Sequence, residues 1–320
     1  MHRFVRGAGL ASGLSDEPAT YLADCLAGND ARGNFSHGSR QIATYARLMR
    51  DGTLNPTPSL TVAKESPVSV LVDGDGGLGY FPSREATRRT VDKALDTGIA
   101  IGMARNHGHF GAAGLYARTA VERGLCAYVT SGHQLSLEAG APHYTAAGGS
   151  PMAFAVPTDT EPPVILDFGA MHDLYGGNPN RDELARSVPG LVLRSIGIGT
   201  ICQMWGGFMS GLTSDPAARP WRWPGANQGA LIICFRPDLF VDPEDLKAAV
   251  DEYARTVRTL SPLPGLDGVY LPGGIEAERE RSYRANGIPV SDEHMKVLTE
   301  LATELGIEPP TTRDRTEPAG

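Results

Sequence analysis

Apolar positions along this chain follow two periods. Toward both ends they recur every three or four residues, and in the middle they gather into short β-rich runs. Residues 39–50 place Ile42, Tyr45, Ala46 and Met49 on one face, which predicts an amphipathic helix. Similar spacing predicts helices over 16–28, 243–260, 275–286 and 291–305, and Asp242-Pro243-Glu244 is a strong helix start. Runs at 99–104, 126–130, 152–156, 164–167 and 230–235, bounded by Gly, Pro and Ser, predict strands. The pattern therefore predicts an α/β chain in two interleaved parts. Residues 1–65 and 240–310 form a helical, substrate-handling part, 66–239 form a sheet part, and 311–320, rich in Pro, Thr and charge, form a flexible tail. The longest apolar stretch, 196–212, contains five glycines and Gln203, so it reads as a packed internal helix and not a membrane span.

Two junctions carry candidate chemistry. Arg105-Asn106-His107-Gly108-His109-Phe110-Gly111-Ala112-Ala113-Gly114 joins the strand at 99–104 to a helical pattern through Ala113, Tyr116, Ala117 and Ala120. Glycines there allow backbone N–H groups to approach a ligand, and a helix N-terminus favours an anion. The competing reading is a tight turn with surface histidines. The second junction is Asn34-Phe35-Ser36-His37-Gly38-Ser39-Arg40, at the start of the helix over 39–50. Ser36 is placed to fix one tautomer of His37, and Arg40 to bind a carboxylate through paired hydrogen bonds. Standing alone it would read as a serine cap with a solvated arginine.

A third segment is a decoy. Gly74-Asp75-Gly76-Gly77-Leu78-Gly79 satisfies the G-x-G-x-x-G dinucleotide pattern after the apolar run 68–72. That fingerprint requires its glycines to open a helix directly. Here Tyr80-Phe81-Pro82-Ser83 intervenes, with Ser83 read as the helix cap, so the segment is taken as a tight turn. Among the other histidines, His133 and His172 fall where predicted strands end and are pocket candidates, and His294 is read as solvated on a polar helical face.

Composition narrows the class. With 320 residues, 41% hydrophobic and 21% charged, the chain can bury a substantial core. Its net charge of -8 and lack of basic runs argue against nucleic-acid partners, so a small anionic substrate would need a local arginine, with Arg40 first and Arg105 in reserve. Cys25, Cys126, Cys202 and Cys234 are far apart, without metal-ligand spacing, and read as buried reduced thiols. With no signal-peptide pattern in residues 1–15, the expectation is a cytoplasmic protein without a membrane anchor.

Several motifs, in order, resemble the type-2 malate/L-lactate dehydrogenase family. Ala31-Arg32-Gly33 leading into Ser36-His37-Gly38 is similar to its opening, and His109-Phe110-Gly111-Ala112-Ala113-Gly114 matches its HFGAAG motif without change. Val72-Asp73-Gly74, 149–157, Val164-Ile165-Leu166-Asp167-Phe168, Leu271-Pro272-Gly273-Gly274-Ile275-Glu276 and Arg284-Ala285-Asn286-Gly287-Ile288 resemble further family segments, so the likeness runs from about 14 to 307. The resemblance implies an unusual non-Rossmann NAD(P)-binding fold, a mainly antiparallel central sheet with a helical domain made from both chain ends. It implies an NADH- or NADPH-dependent oxidoreductase interconverting a small 2-oxo acid and 2-hydroxy acid, or a cyclic imine and its amino acid, working as a homodimer.

Carried over residue by residue, His37 or His109 would be the acid/base, Ser36 would relay to His37, and Arg40, with Tyr45 nearby, would hold the substrate. His109, Phe110, Gly111, Ala112, Ala113, Asp167, Phe168, Gly169 and Arg194 would line the cofactor. Departures from the family pattern stand out as well, among them Gly149-Ser150 in place of a threonine-asparagine pair. Arg194 replaces a usual lysine at the expected start of a glycine-rich helix, Gly108 replaces an asparagine, and the stretch 168–193 is short and lacks a clear counterpart of a family acid or lysine, with Asp173 as a substitute acid. The alternative reading is therefore a member that has lost the nicotinamide cofactor and performs nonredox proton transfer, or a non-catalytic binding protein.

Overall fold

The structure is a computed structural model that describes residues 1–174, 178–215 and 221–311. In chain order the regular elements are helices α1 (His2–Ala11), α2 (Asp16–Ala31) and α3 (Gln41–Arg50), strands β1 (Thr61–Ser66) and β2 (Ser69–Asp73), helix α4 (Tyr80–Thr97), strand β3 (Ile99–His107), helix α5 (Gly114–Val121), and strands β4 (Cys126–His133), β5 (Pro151–Val156) and β6 (Val164–Gly169). Helices α6 (Arg181–Ser187) and α7 (Pro189–Cys202), strand β7 (Gln228–Phe235), and helices α8 (Pro243–Val257), α9 (Gly274–Asn286) and α10 (Asp292–Leu305) complete it. The expected flexible tail beyond Thr311 lies outside the described residues, as do Pro216 and Pro220, which with Trp221, Trp223 and Pro224 read from the sequence as a surface loop.

The chain divides into two compact units, Ser59–Gly273 and Met1–Pro58 with Gly274–Gly320. The first is built on a seven-stranded sheet of order β1-β2-β3-β7-β4-β5-β6. Only β2 and β3 run parallel, because α4 carries the chain back between them; every other neighbouring pair is antiparallel. One face of this sheet is dry. Ala100, Ala104, Val129, Ala153 and Ile232 point into a core with Ala86, Val91 and Ala94 of α4 and Tyr116, Ala117 and Ala120 of α5. Small residues dominate that contact, so the helices approach the sheet closely and hold its connecting loops in fixed places.

In the second unit, α2 and α3 bury Leu22, Leu26, Ile42 and Tyr45, and α10 buries Leu298 and Leu301. Tyr45 is 1% exposed, so it is a packing residue of α3 and not the substrate contact expected of it. Asp242 caps α8 by accepting the Glu244 N–H, as the sequence predicts, and Ser291 caps α10 by accepting the His294 N–H.

Several boundaries differ from expectation. β1 is not predicted because only Val62 and Ala63 of its six residues are apolar and it is exposed along nearly its whole length, as befits an edge strand carrying Lys64 and Glu65 that pairs only with β2. α8 belongs to the sheet unit: Asp251 accepts N–H bonds from Asp159, Thr160 and Glu161, and Arg258 pairs with Glu161. The helix expected to begin at Arg194 begins at Pro189, and its continuation is a π turn over Gln203–Gly207. Nor is it internal. Leu191, Ile198, Ile201, Met204, Trp205 and Phe208 are all more than 40% exposed. Among the described residues no helix is long and apolar enough to cross a membrane.

Candidate active site

The Ser36-His37 segment folds as a single 3-10 turn, Phe35–His37, between α2 and α3. Ser36 Oγ donates to Asn34 Oδ1 at 3.0 Å and lies 3.0 Å from His37 Nδ1. Because the hydroxyl has one hydrogen and that goes to Asn34, Oγ accepts from Nδ1–H, which puts the basic lone pair of the neutral ring on Nε2. Burial of the ring lowers the His37 pKa below the usual imidazole value, so the neutral form prevails at pH 7. Asn34 completes the relay, and no sequence signal had marked it.

Arg40 and Ser36 line a cavity of about 610 Å³ of mixed polar and apolar lining, together with Gln41 and Arg47 of α3, His294 of α10 and its cap Ser291. His37 is not part of its wall. Arg40 Nη2 meets Glu293 Oε1 at 2.8 Å, with both side chains about half exposed or more. A solvent-screened pair of this kind is weak, so a substrate carboxylate can replace Glu293 on the guanidinium. His294, expected in solvent, is buried with Nε2 3.0 Å from Ser39 Oγ, and burial lowers its pKa. Its polar helical neighbours misled the sequence reading.

In the sheet unit the His109 segment is braced by the glycine-rich turn. Gly74 and Gly76 donate their N–H groups to the carbonyls of Arg105 and Asn106, Gly79 donates to that of His109, and Gly108 donates to that of Gly77, at 2.9 to 3.0 Å. Asp73 gathers the ends of the arrangement, accepting from Arg105 Nε and Asn106 Nδ2 at 2.8 Å each. Contrary to expectation, α4 starts at Tyr80 directly after the glycines, and Ser83 lies inside it, fully buried. The fingerprint reading still fails on space. A Cβ on Gly76, whose φ is +78°, would sit 2.0 Å from the Trp223 ring, and one on Gly79 would sit 2.6 Å from the Gly108 carbonyl. These glycines admit protein, and no phosphate cradle remains.

The two imidazoles of the motif separate cleanly. His107 ends β3 at 0% exposure, with Nδ1 donating to the Gly108 carbonyl at 2.7 Å and Nε2 buried without a partner, so burial pushes its pKa down to about 4. It is a structural, neutral ring. His109 is half-buried. The side chains of Phe110, Ala112 and Ala113 are buried, which leaves only their backbone for a ligand.

The expected anion site at the start of α5 is filled by the protein itself: Asp167 Oδ2 accepts the Gly114 N–H at 2.9 Å, and a Cβ on Gly114 would lie 2.6 Å from that oxygen. Asp167 thus joins β6 to the His109 loop and presents the partly exposed Phe168 beside it. Arg194 is exposed one turn into α7, with Nε donating to the Gly190 carbonyl, away from a helix start. His172, Asp173 and His143 are exposed, and His133 is partly buried at the end of β4, its backbone held by the Gln203 side chain. All four cysteines are buried and form no disulfide.

The buried titratable groups predict a signed pH effect on stability. Between pH 6.5 and 4 the unfolded chain takes up a proton at His107 that the folded chain refuses, so acidification destabilises through this group. Asp30, buried beneath the Ser36–Arg40 turn, has its pKa raised from 3.8 to about 6 by desolvation. Between pH 6 and 3.8 the folded chain takes up that proton first, so acidification stabilises through Asp30. The expected outcome is that Asp30→Asn loses more unfolding free energy than the parent between pH 7 and pH 5. Urea unfolding at the two values measures it, and equal losses would contradict the assignment.

The profile of the malate/L-lactate dehydrogenase family matches residues 1–172 and 186–299. Between the two matched parts, residues 173–185 fall in the stretch 168–193, where the resemblance to the family is weakest. The L-sulfolactate dehydrogenase of Methanocaldococcus jannaschii is 26% identical, over 92% of each chain. The NAD(+) ureidoglycolate dehydrogenase of Escherichia coli is 23% identical, over 93% of each. The solved malate dehydrogenase of Pyrococcus horikoshii superposes with a TM-score of 0.84 at 24% identity, covering 97% of this chain and 94% of its own. With the motifs in place, the predicted mainly antiparallel sheet present and nearly the whole length matched, the chain belongs to the malate/L-lactate dehydrogenase family and is a dehydrogenase.

Proposed function

We propose that the protein interconverts a small 2-oxo acid and its 2-hydroxy acid, or a cyclic imine and its amino acid, with NADH or NADPH as the hydride carrier. The observation that carries this reading is the Asn34–Ser36–His37 relay three positions before Arg40: a base with a fixed tautomer and a guanidinium for the carboxylate. Hydroxy acids named for the relatives, sulfolactate, malate and ureidoglycolate, fit that pair. When bound, the nicotinamide supplies or accepts the hydride. In oxidation His37 Nε2 takes the hydroxyl proton, and in reduction the imidazolium returns it to the developing alkoxide or amine. Ser36 and Asn34 keep the ring in one orientation through both directions. Arg40 holds the carboxylate after exchanging it for Glu293. His109, the backbone of Phe110 to Ala113, and Asp167, Phe168 and Gly169 form the cofactor side, with the exposed guanidinium of Arg194 available to a phosphate or ribose.

Isothermal titration with NADH and NADPH, each with and without a panel of small 2-oxo acids, tests the reading. Micromolar binding of one nucleotide supports it and decides the cofactor. Absence of binding by either overturns it and turns attention to nonredox proton transfer at His37 and Arg40.

A homodimer is part of the same proposal. Ile198, Ile201, Trp205 and Phe208, on α7 and the following π turn, are all more than 40% exposed, and exposed large apolar side chains grouped on one segment fit an interface between copies of the chain. Light scattering is expected to give twice the 33.9 kDa chain mass, and Ile201→Glu to give the single mass. A monomeric parent would contradict this part.

A further inference from the structure

We infer that Asn29 and Asp30, in the last turn of α2, are positioning residues that hold His37 and Arg40 in place through the backbone of the turn between them. The inference rests on the roles proposed above for those two side chains. Both positioning residues are buried, at 3% and 0% exposure. After α2 the chain reverses through Gly33, whose φ is +77°, and the reversal is closed by the Gly33 N–H on the Asp30 carbonyl and the Asn34 N–H on the Asn29 carbonyl. The side chains then reach the next segment. Asn29 Nδ2 donates to the His37 carbonyl at 2.9 Å, and the His37 N–H donates to the Asn34 carbonyl at 3.2 Å. The base is therefore fixed on both sides of its own Cα.

Asp30 accepts the Ser39 N–H on both carboxylate oxygens, at 3.1 and 3.2 Å, one residue before Arg40. Ser39 Oγ meets His294 Nε2 from α10, so the turn is gripped from two helices. Gly38 is the residue this grip demands: a Cβ there would lie 1.8 Å from Asp30 Oδ1. A carboxylate at 0% exposure is an expensive way to hold a single residue, Ser39, since a neutral acceptor would avoid its desolvation. The cost is consistent with a demand for a charged, two-oxygen hold on the turn next to the reacting groups. Small displacements of such groups lower turnover steeply, by as much as about 100-fold for a 1 Å shift.

The test compares Asn29→Ala and Asp30→Asn with the parent in steady-state oxidation of the hydroxy acid, together with nucleotide affinity and thermal unfolding. Asn29→Ala is expected to lower kcat by about 10- to 100-fold with KM within threefold, because it frees the His37 carbonyl. Asp30→Asn is expected to raise KM by more than it lowers kcat, because it loosens the entry to Arg40. Nucleotide affinity should not move in either. A purely structural role would lower the unfolding temperature while leaving kcat and KM of the folded protein within twofold, and that result overturns the inference. If Asn29→Ala does not fold, Asn29→Ser, which stays polar but lacks the reach, replaces it. His37→Gln separates the two levels. Retained turnover in that variant removes the underlying reading, whereas its loss alongside parent-like Asn29 and Asp30 variants removes only the positioning roles.

Discussion

His37→Gln is expected to lower kcat by about 100- to 10,000-fold, the usual contribution of a positioned general acid or base. Glutamine keeps a polar side chain of similar reach but cannot carry a proton between hydroxyl and solvent. The nucleotide affinity of this variant should match the parent, since the cofactor side of the proposal rests on other residues. The pH profile supplies an independent check. Burial lowers the His37 pKa, so the fraction able to accept a proton stays high to pH values below the ordinary imidazole pKa. Oxidation should therefore hold its rate on mild acidification and fall only below about pH 6.5. The Ser36→Ala variant, which deprives Nδ1–H of its acceptor, should lower kcat less than His37→Gln does. Full kcat in His37→Gln would transfer the proton-carrying role to His109.

Arg40→Met is expected to act mainly on KM. Loss of hydrogen bonds to a charged partner removes about 1.5 to 3 kcal/mol, or roughly 10- to 150-fold in KM for a carboxylate substrate, with kcat changed much less. Arg40→Lys should recover part of this, because an ammonium supplies the charge without the two parallel donors. Glu293→Gln is a useful contrast. The Arg40–Glu293 pair is solvent-screened, so releasing it should change KM by no more than a few-fold. Equal KM values for parent and Arg40→Met would show that the carboxylate is bound elsewhere, with Arg47 on the same cavity wall the next residue to examine.

Much of the fold was legible because its signals are local. The strand cores at 99–104, 126–130, 152–156, 164–167 and 230–235 all fall within observed strands, since apolar runs bounded by Gly and Pro record burial against α4 and α5. Features lacking such a signal were missed. β1 alternates nothing because neither of its faces is buried, and α7 is apolar on a side that the single chain leaves in water. Gly114, read with its motif as an opening for a ligand, makes room for Asp167, and Gly38, Gly76 and Gly79 make room for Asp30, Trp223 and the Gly108 carbonyl. A sequence records that a Cβ is absent at such a position, but what fills the space is a tertiary fact. The same limit applies to the site. Ser36, His37 and Arg40 announce themselves within five positions, but Asn29, Asp30 and His294 reach them from another turn and another helix.

The measurement that bears most directly on the central claim is nicotinamide absorbance during incubation of the parent protein with NAD(+) or NADP(+) and a panel of small 2-hydroxy acids that includes malate, sulfolactate and ureidoglycolate. Reduction of one nucleotide with at least one of these acids is expected, abolished by His37→Gln. No reduction of either nucleotide with any of the panel, by protein shown to be folded, would contradict it.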